Sequence, residues 1–132
     1  MTPQQKIKLL IINEAIEDGI EFEHPEIITE DNISDVYSAL DEADECAIQD
    51  ISSEIRQGDV ETDLECEWSR HYECKAVASK MSDGSWVGWT YWYGGGKHGE
   101  PDSIEWIEYA YDLDVKEEEK MVLVRTFKKI TK

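Results

Sequence analysis

Carboxylates are the chemistry this chain offers in quantity. Between Glu14 and Glu67 there are 20 Asp and Glu and a single base, Arg56, so this stretch carries a net charge of −19. Such a run does not select general acid–base catalysis, because acidic pairs occur at every spacing and none stands beside a distinguishing His, Lys or aromatic pocket. Zinc would need donors from Cys66, Cys74, His71, His24 and His98. The alternating pattern around Cys66 and Cys74 places them about 26 Å apart on one strand, with His71 on the opposite face. Those three cannot share an ion, and the cysteines read as reduced core thiols. The run Gly94-Gly95-Gly96-Lys97-His98-Gly99 could cradle a phosphate with its backbone amides. It lacks the P-loop pattern, since Tyr91 stands where the first glycine belongs and His98 where the Ser or Thr belongs. It reads instead as a flexible crossover with Lys97 and His98 on the surface. No nucleophile elbow or metalloprotease helix is present, and we expect a non-enzymatic protein using no cofactor and no metal.

The chain has 132 residues, with 31 Asp and Glu against 13 Lys and Arg, a net charge of −18. A polyphosphate surface would repel it, which argues against nucleic acid or an anionic membrane as a direct partner. The acidity is regional: residues 1–70 carry −16 and residues 71–132 only −2. Acids serving general solubility would be spread over the whole surface. Five Trp, six Tyr and two Phe are enough to fill a core, so the charge does not signal disorder. One domain over 1–132 is expected, with a helical acidic half (1–60) and a β-rich half (64–132). No apolar run approaches the roughly 20 residues of a membrane span, and Met1-Thr2-Pro3-Gln4-Gln5 lacks the form of a secretory signal. With three cysteines, an odd number, the reading is cytoplasmic.

Elements follow from spacing. Thr2-Pro3-Gln4-Gln5 is a capping-box pattern with proline at the first helical position, and Gly19 is placed to close that helix in the left-handed conformation. A second start at Thr29-Glu30-Asp31-Asn32, with Asn32 or Thr29 as cap, leads into Ile33, Val36, Tyr37, Leu40, Ala43, Ala47, Ile51 and Ile55 at helical period. This predicts one helix of about 25 residues, about 37 Å long, although a break near Asp41-Glu42 fits almost as well. Residues 64–78 alternate as a strand, and Asp83-Gly84 is the preferred pair for a two-residue hairpin turn. That turn places Ala78 opposite Trp89 and Lys75 opposite Trp92, with Trp89, Tyr91 and Tyr93 facing the core and Trp86 and Trp92 sharing the other face. Pro101 and the Asp102/Glu105 pair predict a short crossover helix through Leu113, and Met121 to Phe127 a third strand. The fold class is therefore α+β: N-terminal acidic helices packed on a small antiparallel sheet, formed by a hairpin and a C-terminal strand, with one crossover helix.

The segment Trp86-Val87-Gly88-Trp89-Thr90-Tyr91-Trp92-Tyr93-Gly94-Gly95-Gly96-Lys97-His98-Gly99-Glu100-Pro101, followed by Ile104, Trp106 and Tyr111, resembles a block found in small uncharacterised proteins of phages and prophages. The resemblance covers residues 75–128 and leaves the acidic half unmatched. It implies a setting, the host cytoplasm, and action on host machinery, with no activity and no functional residue attached.

Two functions are expected from these features. In the first, the acidic helices dock on a basic surface of a protein partner in the manner of DNA-mimic inhibitors of host defence or other nucleic-acid-binding proteins. Acids at i and i+4 on a helix stand about 6 Å apart, comparable with the phosphate repeat of one DNA strand. Asp31, Asp35, Asp41, Glu42, Glu45 and Glu54 would carry this contact. In the second, Trp86 and Trp92 form an anchor patch for a protein partner and the acids serve solubility only.

Overall fold

The computed structural model describes residues 1–66, 72–94, 105–117 and 125–130. Helix α1 (Pro3–Glu17) starts as its sequence dictates: Thr2 Oγ1 accepts from the Gln5 amide at 3.1 Å, and Gln5 Oε1 accepts from the Thr2 amide at 2.9 Å. At the other end Gly19 takes φ +78°, and the Gly19 and Ile20 amides donate to Ile16 O (3.1 Å) and Ala15 O (3.0 Å). This pair of bonds satisfies the last carbonyls, and it needs a residue without Cβ. The helix buries Ile7, Ile11, Ile12 and Ala15 completely.

Residues 33–55 form two helices, not one. Helix α2 (Ile33–Ala43) and helix α3 (Glu45–Ile55) are separated by Asp44, which is extended at φ −158°, ψ 84°. The Asp44 amide donates to Leu40 O at 2.9 Å to end α2, and its Oδ1 accepts from the Ala47 amide at 3.1 Å to start α3. The acid caps a helix start, which is where aspartate is favoured. The break also solves a packing problem. Helix α1, with 15 residues, is about 22 Å long, and a straight partner of about 37 Å would overhang it. Bent at Asp44, the chain brings Ile33, Val36 and Leu40 of α2 and Ile48 and Ile51 of α3 into one core with α1.

Four strands, β1 (Val60–Glu61), β2 (Glu73–Lys80), β3 (Trp86–Tyr93) and β4 (Tyr111–Leu113), make an antiparallel sheet in chain order. The α+β class, the helical layer and a C-terminal strand completing the sheet agree with the sequence reading. The hairpin register differs from it by one residue: Val77 pairs with Trp89, Ala78 with Gly88 and Lys75 with Tyr91. The loop is Ser82-Asp83-Gly84, closed by Met81 N to Ser85 O (2.7 Å), with Gly84 N donating to Met81 O (3.0 Å) and Gly84 left-handed at φ +90°. A three-residue loop with glycine third is the next commonest solution after the two-residue turn. Asp83 Oδ1 stabilises it by accepting from the Ser85 hydroxyl (2.6 Å) and amide (2.9 Å), and these bonds hold its carboxyl below the usual range. In this register Lys75 lies over Tyr91 and Tyr93, not Trp92. Val77, Val87 and Trp89 face the helices, while Ala76 and Ala78 are buried on the opposite face.

Four further expectations are corrected. The strand does not begin at residue 64: residues 60–61 pair with Ala78 and Val77, the Thr62 amide donates to Ala76 O, and the chain runs back along β2. Cys66 thereby meets Cys74 in a disulfide with Cα atoms 6.5 Å apart, and Cys46, exposed, is the one free cysteine. The expected crossover helix is replaced, over the part described, by a turn at 106–109 and by β4; residues 101–104 lie outside the described residues. Strand β4 docks because Gly88 leaves room for it. A Cβ there would stand 2.7 Å from both Tyr111 Cε2 and Leu113 Cδ1. Of the third strand expected at 121–127, residues 121–124 lie outside the described residues, and 125–130 are not in a strand, with Phe127 86 % exposed.

Gly58 connects the two layers. It has φ +74°, and a Cβ would lie 2.5 Å from Val77 Cβ. Gly58→Ala combines left-handed strain with overpacking, and is expected to lower the unfolding free energy by about 2 kcal/mol or more, read as a lower urea midpoint at unchanged m-value.

Candidate functional site

The six acids singled out above, Asp31, Asp35, Asp41, Glu42, Glu45 and Glu54, are all exposed, and none makes an ion pair with a described residue. At 100° per residue, Asp35 and Glu42 share the side of α2 opposite the buried Ile33, Val36 and Leu40. Asp31 precedes that helix, and Glu45 opens α3 just past the break. Asp41 is turned toward the flank, where its charge, after burial, helps raise the Tyr37 hydroxyl pKa. Glu54 is nine residues beyond Glu45, half a revolution away, and it stands by α1. There it joins Asp18 and Glu17 in raising the Glu14 carboxyl pKa, with Asp18 the largest cause, burial next, then Glu17 and Glu54. The structure thus separates Asp35 and Glu42 on the outer side of α2, with Asp31 before it and Glu45 on the flank of α3, from a cluster at the α1–α3 junction.

Among the described residues, the nearby cations are engaged elsewhere. Lys6 pairs with Asp112 at 2.7 Å, and Lys8 sits over the Tyr37 ring. Arg56, the one base of the acidic segment, turns to the sheet: its Nη1 donates to Trp92 O (2.6 Å), its guanidinium lies 4.9 Å from the Tyr91 centroid, and its carbonyl accepts from Trp89 Nε1 (2.8 Å). The ends of α1 and α2 carry no base in their last turns, yet Glu14 and Glu17 close α1 and Asp41 and Glu42 close α2. Acids there oppose the helix dipole. These residues are placed against the interest of the isolated fold.

The repulsion has a measurable sign. Because the Glu14 carboxyl titrates above its ordinary 4.5 in the folded protein, its cost is absent below that pH and complete once the pH exceeds the raised value. Glu14→Gln is expected to raise the melting temperature at pH 7 and leave it unchanged at pH 4. Added salt should raise the wild-type melting temperature at pH 7 by more than it raises that of the variant.

Trp86 and Trp92 share one sheet face, as expected, but helices do not cover that face, and neither joins the helix-packed core. They do not form one patch. Six residues separate them along β3, about 20 Å, and each is half-buried in its own depression. Trp86 lines a groove of about 480 Å³ with Val60, Leu64, Leu113 and Val115. Trp92 lines a cavity of about 620 Å³ with Glu65, Cys66, Thr90, Trp106, Tyr109 and Tyr111. The sequence reading missed this grouping because it assigned Trp106 and Tyr111 to a helix and Cys66 to a distant strand position. The only available signal was the density of aromatics at 106, 109 and 111.

Among the described residues no three His, Cys, Asp or Glu side chains are placed to hold a metal ion, and no helix is long and apolar enough to cross a membrane. Lys97 and His98 lie outside the described residues. No family model, curated protein or solved structure matches the chain.

Proposed function

We propose that this protein is a small non-enzymatic binding protein whose acidic helical layer docks on a basic surface of a protein partner. On this reading it inhibits or modulates a host nucleic-acid-binding or defence protein by imitating DNA, in the phage setting that its resemblance implies. The observation that carries the reading is the set Asp31, Asp35, Glu42 and Glu45, exposed and without a described counter-charge, on a layer whose helix ends carry acids against their own dipoles. Glu14, Glu17, Asp41 and Glu42 at the helix ends are not what solubility or fold stability alone would select. The reading places the protein in the cytoplasm, that of the host if it is phage-borne. Thiols there are held reduced. The acidic helices, within residues 3–55, do not include the Cys66–Cys74 bridge.

A second reading has its own observation: Trp86 and Trp92 are half-exposed on the face that the helices leave uncovered. Affinity capture from host lysate at low and high salt separates the two. The acidic reading expects a partner released by salt and retained by Trp86→Ala/Trp92→Ala. The aromatic reading expects a salt-resistant partner lost in that double variant.

A further inference from the structure

The cavity beside Trp92 has a composition that selects a ligand class. Its volume of about 620 Å³ falls in the range of small-ligand sites. Four aromatic rings line it, from Trp92, Trp106, Tyr109 and Tyr111, with the carboxylate of Glu65, the hydroxyl of Thr90 and no Lys or Arg among the described lining residues. An aliphatic ligand would be served as well by leucines and valines. Rings present negative π faces, and a carboxylate beside them adds a full charge. An anion would meet repulsion from Glu65 and from a protein of net charge −18, which also concentrates cations near its surface.

The protein's own cations occupy other rings. Lys8 sits over Tyr37, Arg56 over Tyr91, and Lys75 over Tyr91 and Tyr93. A primary ammonium or a metal ion is strongly hydrated and loses that hydration on entering. An alkylated ammonium spreads its charge over methyl groups and loses little, so the rings bind it with net gain. The walls are held in place beforehand: Trp106, 6 % exposed, packs on Trp89 with ring centroids 5.4 Å apart, Tyr111 is fixed in β4 over Gly88, and the Thr62 amide, donating to Ala76 O at 2.8 Å, fastens the segment that leads to Glu65 along β2. Tyr109, 75 % exposed, stands at the mouth.

We propose that this cavity is a binding site for an alkylated ammonium group, held by cation–π contacts with Trp92, Trp106, Tyr109 and Tyr111 and by the charge of Glu65. The site is independent of the acidic helices.

The test titrates the oxidised full chain with choline and with its neutral isostere 3,3-dimethylbutan-1-ol, followed by tryptophan fluorescence and calorimetry. Saturable choline binding at least about tenfold tighter than the isostere is expected. Glu65→Gln should weaken it severalfold and Trp92→Leu about tenfold, with the far-ultraviolet circular dichroism of each variant unchanged. Equal binding of the two probes, or no saturable binding of millimolar choline, would overturn the proposal. A peptide containing trimethyl-lysine identifies the source of the group. If it binds better than its unmethylated twin, the ligand is a modified protein side chain, and if choline alone binds, the ligand is a free cation. Asp35→Lys/Glu42→Lys/Glu45→Lys should bind choline as the wild type does, which keeps this site's failure distinct from failure of the acidic-face reading.

Discussion

Trp89→Ala is expected to remove about 3–5 kcal/mol of folding free energy, a large share of the roughly 5–15 kcal/mol typical of a domain. Among the described residues Trp89 is the largest fully buried side chain, at 0 % exposure, and it joins the two layers in three ways. Its ring fills the space between β3 and the helical core, it packs on Trp106, and its Nε1 donates to the Arg56 carbonyl at the end of α3. Alanine leaves a cavity that the antiparallel hairpin cannot collapse into without breaking the pairing with Val77. Trp89→Phe retains most of the volume and loses the hydrogen bond, and should cost about 1–3 kcal/mol. Urea denaturation followed by circular dichroism reads both values. A loss below about 1 kcal/mol for the alanine variant would mean that the helical layer and the sheet are not held together at this point.

The second large effect falls on binding and spares the fold. Asp35→Lys/Glu42→Lys/Glu45→Lys changes the net charge from −18 to −12 and touches only exposed side chains. Against a basic partner surface it converts attraction into like-charge contact, and affinity is expected to fall at least about 100-fold, or ~3 kcal/mol. Asp35 and Glu45 lie in the first turns of their helices, so lysine there opposes the dipole by about 0.3–1 kcal/mol each. Relief of repulsion among these acids offsets part of that, and the melting temperature should move little. Glu54→Lys is the matched control, since Glu54 lies half a revolution from Glu45 and beside α1. It should cost much less affinity than the triple variant.

Local signals in this sequence were readable and non-local ones were not. The capping box at Thr2 and Gln5 and the left-handed Gly19 each depend on residues within a few positions, and both are found as read. The exposure of the acids and the shared face of Trp86 and Trp92 follow from periodicity alone. The break at Asp44 was less legible, because both halves of the helix keep one apolar period and the signal for the bend is a single capping carboxylate among many acids. The hairpin was placed correctly but slipped by one residue, since Asp83-Gly84 suits both a two-residue turn and a three-residue loop with glycine last. Alternation alone sets Cys66 and Cys74 far apart, because it reports extended backbone and says nothing of where the chain turns back. Strand β4 was read as a helix because the space that admits Tyr111 and Leu113 is made by Gly88, more than twenty positions earlier. The aromatic cavity was hidden by the last two errors together.

The account rests on charge as the force that joins the acidic helical layer to its partner. Its most direct test is the dissociation constant of the purified complex measured across ionic strengths from about 50 mM to 500 mM. Over this range the Debye length shortens severalfold. The account predicts a linear fall of log affinity with log salt, steep in the wild type and shallow in the triple lysine variant. An affinity that stays flat across the range, with the variant binding as tightly as the wild type, would contradict it.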